Sequence, residues 1–107
     1  MAALAAGCLA SGPAVSEDAK TNASTIERGK KLVEKNCSQC HAFGKDDESK
    51  HPESPAFRDL SKRYPVEFLA EALAEGILTG HPDMPVFYFY PEEVDQVVEY
   101  LKTIQAE

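Results

Sequence analysis

Small or apolar residues recur at helical spacing between Ser24 and Cys40. Ile26, Gly29, Val33 and Cys37 stand three or four apart, Leu32 and Cys40 edge the stripe, and Lys30, Lys31 and Lys35 lie off it. This period predicts an amphipathic helix. Ser24-Thr25-Ile26-Glu27 has the form of a capping box, in which serine and glutamate each accept from the other's backbone N–H, so the helix is expected to start at Thr25. A second helix is predicted with Pro65 at its first position and Gly76 at its end, its apolar side made of Phe68, Leu69, Ala72 and Leu73. A third opens at Pro91, with Glu92 and Glu93 in the first turn, where the helix dipole favours carboxylates. Val94, Val97, Val98, Leu101 and Ile104 give it one continuous apolar stripe. Between the last two helices, Val86-Phe87-Tyr88-Phe89-Tyr90 alternates like a strand, but one short run without a partner builds no sheet. We read it as an extended segment with Phe87 and Phe89 turned inward in preference to Tyr88. The fold class is all-α.

The pattern also divides the chain. Residues 1–16 carry no charged side chain, whereas everything from Glu17 onward is charge-rich. The apolar stretch Ala2–Ala10 is too short to span a bilayer and has the form of the apolar region of a secretory signal, with Gly12-Pro13-Ala14 as a tolerable cleavage site. Leu4-Ala5-Ala6-Gly7-Cys8 is similar to a lipoprotein cleavage box with its leucine one position too far from the cysteine, and a lipid on Cys8 would be the chain's one tie to a membrane. Residues 17–23 show no periodic apolar positions and read as a linker, leaving 24–107 as the folded domain. A domain of that size has difficulty burying enough apolar surface alone, and a disulfide, metal or cofactor is the usual supplement. Three cysteines, one of them in the leader, make no disulfide framework.

Cys37-Ser38-Gln39-Cys40-His41 is where that supplement is expected. At i, i+3 and i+4, two thiols and an imidazole project towards one side of a helix. A redox dithiol of the thioredoxin kind sits at a helix N-terminus, where the dipole lowers the thiol pKa, but this pair ends a helix. A structural zinc site wants a second knuckle; His51 and His81 are the only other histidines and neither has finger spacing. Covalent haem requires this spacing, since each thiol adds across one vinyl group and the following histidine reaches the iron. Far downstream, Gly80-His81-Pro82-Asp83-Met84-Pro85 sets a methionine in a Pro-flanked loop. Met84 as sixth ligand would close the iron and raise its potential; His81 is the rival, since imidazole also binds iron. A core methionine would sit on a periodic face instead.

From Ile26 to Ile104 the chain resembles the small monohaem class I c-type cytochromes of bacteria. The likeness rests on Gly29, Val33, Cys37, Cys40, His41, Met84 and the terminal run Val97, Val98, Tyr100 and Leu101. The resemblance implies three to four helices wrapped around one covalently attached haem, the first and last crossing with Gly29 against Tyr100. It also implies a proline whose carbonyl accepts the His41 Nδ1 proton; the acid-rich segment from Gly44 to Ser54 departs from the family, which often has a shorter glycine-bearing loop there, and of the two prolines Pro55 is taken over Pro52. Cofactor contacts are then expected from Cys37, Cys40, His41, Met84, Pro55, Phe57 and Phe87, with His41 and Met84 on the metal.

Closed His/Met iron favours electron transfer over oxygen chemistry, so the chain is expected to be an electron carrier and not an enzyme. No nucleophile with a base, phosphate loop or paired-carboxylate cleft is legible, and a formal charge of −7 argues against nucleic acid. With the leader, these features imply a soluble periplasmic one-electron carrier between a redox donor and acceptor. The alternatives are an electron-accepting subunit of a periplasmic dehydrogenase, or a haem enzyme or gas sensor with a labile Met84. Charge is lopsided: ten basic and nine acidic residues up to Arg63, one basic and nine acidic from Tyr64. The resulting dipole is expected to orient the molecule towards its partner.

Overall fold

The computed structural model describes residues 17–76 and 84–106. Helix α1 spans Glu17–Cys37, helix α2 Leu69–Glu75 and helix α3 Pro91–Ile104, with 3-10 turns at Phe57–Lys62 and Val66–Phe68, the latter leading straight into α2. The described residues contain no strand, so the expected all-α class holds. Residues 1–16, where a leader is expected, with Cys8 among them, and His81 fall outside the described residues.

Helix α1 runs through the segment read as a linker, and the Ser24–Glu27 box does not start it. Residues 17–23 contain no proline or glycine. Once tertiary packing has nucleated the helix further on, adding such residues costs little, and an interior serine can face solvent. Ser24 is indeed exposed. The start of α2 also differs. Pro65, with ψ 134°, precedes the 3-10 turn as its cap and is not the first helical residue, and Phe68 is 71% exposed rather than on the apolar side. Val66, which the periodicity passed over, is buried in its place. Leu73 is buried and Leu69 and Ala72 half-buried, while Gly76 ends α2 at φ +94°, a conformation that favours glycine.

Helix α3 follows its sequence closely. Pro91 occupies its first turn, Glu93 Oε1 accepts the Tyr90 N–H at 3.0 Å, and all five stripe residues are buried. Together with Val33, Leu60, Val66, Leu73 and Tyr100 they form the core. α1 lies directly on α3. A Cβ on Gly29 would fall 1.8 Å from the Gln96 carbonyl oxygen and 2.9 Å from Tyr100 Cβ, so the backbone of α1 lies directly against the backbone of α3 there, beside the Tyr100 side chain.

The acid-rich segment between α1 and the first 3-10 turn is tied down by its own polar groups. Asp47 accepts from the Phe43 and Gly44 N–H groups at 2.9 Å each, Ser49 Oγ accepts from Ala42 N–H at 2.9 Å, and the Tyr100 hydroxyl donates to the Phe43 carbonyl. Arg58 donates to the Asp47 carbonyl and stands 3.7 Å from its carboxylate. Burial alone would push the Asp47 carboxyl up; the backbone N–H donors and Arg58 outweigh it and hold the pKa below its ordinary value. A depressed carboxylate pKa stabilises the fold above the unfolded value, and that contribution is lost as pH falls through the folded value. Acidification below about pH 4 should therefore raise amide exchange at Phe43 and Gly44. Asp47→Asn should produce the same rise at neutral pH, at a cost of about 1 kcal/mol or less for a partly exposed group. Unchanged exchange at these amides in the variant would contradict it.

Candidate haem site

The site is built where α1 stops. Cys40 N–H and His41 N–H both donate to the Cys37 carbonyl, at 3.2 and 2.9 Å, so the helical spiral continues one turn beyond the helix. The Cys40 carbonyl accepts the His51 N–H at 3.1 Å, which anchors the turn to the following loop. The i, i+3, i+4 relation expected of the two thiols and the imidazole is thereby preserved. Both thiols are free and half-buried.

His41 is held in two directions. Its Nδ1 lies 2.8 Å from the Pro55 carbonyl oxygen, which can only accept, so Nδ1 carries the proton and Nε2 the lone pair. Phe57 stacks on the imidazole face with centroids 4.5 Å apart and planes 23° from parallel. Phe57 in turn is fixed through its backbone: its N–H donates to the Ala42 carbonyl at 2.9 Å, and its carbonyl accepts from Gln105 Nε2 at 2.8 Å. Gln105 also donates to the Leu101 carbonyl and accepts the Ser61 N–H, each at 2.8 Å. One side chain past the end of α3 thus clamps the 3-10 turn that bears Phe57.

The electrostatics fit ligation better than thiol redox chemistry. Burial pushes the Cys37 thiol up to about 11, with Cys40 adding to the rise, whereas a reactive dithiol needs a lowered pKa. Burial lowers the His41 pKa; the Pro55 hydrogen bond opposes this and His51 adds to it, favouring the neutral ring that binds metal.

Of the residues expected from the sequence, Cys37, Cys40, His41, Pro55 and Phe57 come together here. Phe57 packs on the histidine ring. Met84 and Phe87 stand half-buried on the separate segment 84–90, and among the described residues they make no hydrogen bond or ring contact with that group. Phe87 lies 6.3 Å from Phe89, which packs on the core. Gln105, Asp47 and Arg58 went unnoticed in the sequence. Only the short Gly44–Asp47 spacing carried a trace of a turn, and a glutamine after an apolar stripe carries none.

The residues suit a covalently held haem: two unpaired thiols on one turn, and an imidazole whose second nitrogen is pinned by a backbone carbonyl, as a metal-binding histidine requires. No curated protein and no solved structure matches the chain. The family model of cytochrome c matches residues 26–105, from the first apolar position of α1 to the glutamine clamp. With that match over most of its length and a helical fold built around the Cys37–His41 turn, the chain belongs to the cytochrome c family, whose members bind haem and carry electrons.

Proposed function

We propose that the chain is a periplasmic one-electron carrier with a single haem c, bonded to Cys37 and Cys40 and ligated by His41 and Met84. The observation that carries this reading is the Cys37–His41 turn with His41 Nδ1 held by Pro55. When bound, the haem supplies an iron that alternates between ferrous and ferric states, gaining and losing one electron. The chain's residues do the rest. Cys37 and Cys40 would hold the haem through one thioether each, formed by adding S–H across a vinyl group, and burial keeps the Cys37 thiol protonated until then. Pro55 sets the His41 tautomer, Phe57 prevents the ring from tilting, and Gln105 keeps Phe57 in register. Met84 is the remaining soft donor, since Met1 lies in the leader. The uncharged stretch 1–16 supports export, and the partners are a redox donor and a redox acceptor. Among the described residues no helix is long and apolar enough to cross a membrane.

Attachment is the decisive experiment. Protein produced with cytochrome c maturation should keep its haem through acid-acetone extraction, Cys37→Ala and Cys40→Ala should each retain one bond, and the double variant should release the haem. Wild-type protein whose haem washes out ends this reading.

A further inference from the structure

Exposure alternates along residues 86–90. Phe87 and Phe89 are half-buried, while Val86, Tyr88 and Tyr90 are 41%, 76% and 72% exposed. Phe89 packs on the core with Phe87 beside it, while the outward three leave much of their apolar surface in water. Apolar surface rimmed by polar groups marks interaction sites, and tyrosine suits them because its ring supplies contact area while its hydroxyl tolerates water. This face is also supported from beneath. A Cβ on Gly76 would come within 2.7 Å of Tyr88 Cε1 and 3.2 Å of Val86 Cγ1, so both side chains rest on the end of α2. Tyr90 is fixed by its N–H to Glu93.

The chain on either side of this face carries charge of one sign. Exposed Glu75 immediately precedes Gly76, exposed Glu92 follows Tyr90 by two positions, and no lysine or arginine occurs from Tyr64 to Leu101. Lys102, the first cation beyond, is engaged with Glu99 at 3.2 Å. An anionic surface of this kind repels phosphate-rich and acidic partners and attracts basic ones. We infer that Val86, Tyr88 and Tyr90, rimmed by Glu75 and Glu92, form the docking surface for a redox protein whose contact face is cationic with an apolar or aromatic centre. The inference rests on the carrier reading and deepens it by naming the partner's chemistry. Charge brings the partner in and the tyrosines hold it. Because Val86 follows Met84 by two residues, the partner is seated against the segment that bears the proposed upper ligand.

A small complex with both properties tests this surface. Tris(phenanthroline)cobalt(III) is a cation with aromatic faces; reduced protein passes it one electron, becoming ferric as cobalt(III) becomes cobalt(II). Ferricyanide, an anion accepting one electron, is the control. Stopped-flow rates at low salt would compare the wild-type holoprotein with Glu75→Gln/Glu92→Gln, with Tyr88→Ser, and with Asp46→Asn/Glu48→Gln. The last makes the same charge change on an exposed part of the acid-rich loop. The first two variants should slow the cobalt reaction several-fold and leave ferricyanide reduction no slower. The loop variant should change the cobalt rate much less, and added salt should erase the effect of the glutamates. Equal slowing by the loop variant would assign the effect to net charge and overturn the proposal, as would an unchanged rate in Tyr88→Ser. A chain that reduces ferricyanide yet reacts with cobalt alike in all variants loses the docking surface alone. One that reduces neither oxidant loses the carrier reading with it.

Discussion

Met84→Ala should lower the reduction potential of the holoprotein by something on the order of 100 mV, since axial ligands span a range of about 0.8 V. The weak far-red absorption of thioether sulfur on ferric iron should vanish with it. A thioether is a soft donor that favours ferrous over ferric iron, so removing it stabilises the oxidised form and lowers the potential. It also leaves a coordination position open, and the variant should bind cyanide or carbon monoxide where the wild type does not. Stability should fall less than these signals suggest, because Met84 is only half-buried and lies outside the packed core. His81→Ala is the comparison. If that substitution removes the far-red band and Met84→Ala retains it, the upper ligand has been assigned to the wrong side of Pro82. The assignment of His41 as lower ligand is independent of this outcome, since the hydrogen bond from its Nδ1 to Pro55 and the Phe57 stack involve neither His81 nor Met84.

Features that depend on local chemistry could be read directly from the chain. The α3 stripe, Pro91 at its opening and Gly76 at the end of α2 were all legible, because period and backbone preference act within a few residues. So were the thiol pair and histidine, whose spacing is dictated by the group they would hold. The proline carbonyl under His41 was reached through family resemblance, and its 2.8 Å contact spans fourteen residues of loop that no periodicity describes. Gln105 shows what remains hidden. Its three hydrogen bonds go to Phe57, Ser61 and Leu101, two of them more than forty positions away, and glutamine is an ordinary residue after a helix. The start of α1 was misplaced for a thermodynamic reason. A capping box favours a helix start only where the preceding chain resists helix, and Glu17-Asp18-Ala19-Lys20 does not resist. Phe68 misled through period alone, since a seven-residue helix preceded by a 3-10 turn has too few turns to fix which face is inward.

Gly29→Ala should be the most damaging single-methyl change in the domain. The added Cβ would lie 1.8 Å from the Gln96 carbonyl oxygen, and that neighbour is backbone within a helix, which cannot rotate aside as a side chain would. α1 and α3 must therefore separate by more than an ångström to restore ordinary contact. That movement loosens Val33 against Val97, Val98 and Leu101, all in one cluster. Overpacking typically costs 1–3 kcal/mol, and a clash with rigid backbone places the expected loss at about 3 kcal/mol or above. Against a typical total of about 5–15 kcal/mol, this should shift the urea midpoint far more than any surface change. The same displacement moves Cys37, which ends α1, so the yield of covalently loaded protein should fall as well. Ser24→Ala, on the same helix, separates close packing from helix formation. As an exposed interior position it should change stability by no more than about 0.5 kcal/mol, whereas loss of a working N-cap costs about 1 kcal/mol. If Gly29→Ala were tolerated as easily as Ser24→Ala, the direct contact of α1 with α3 would be wrong, and with it the support of the turn that carries Cys37, Cys40 and His41.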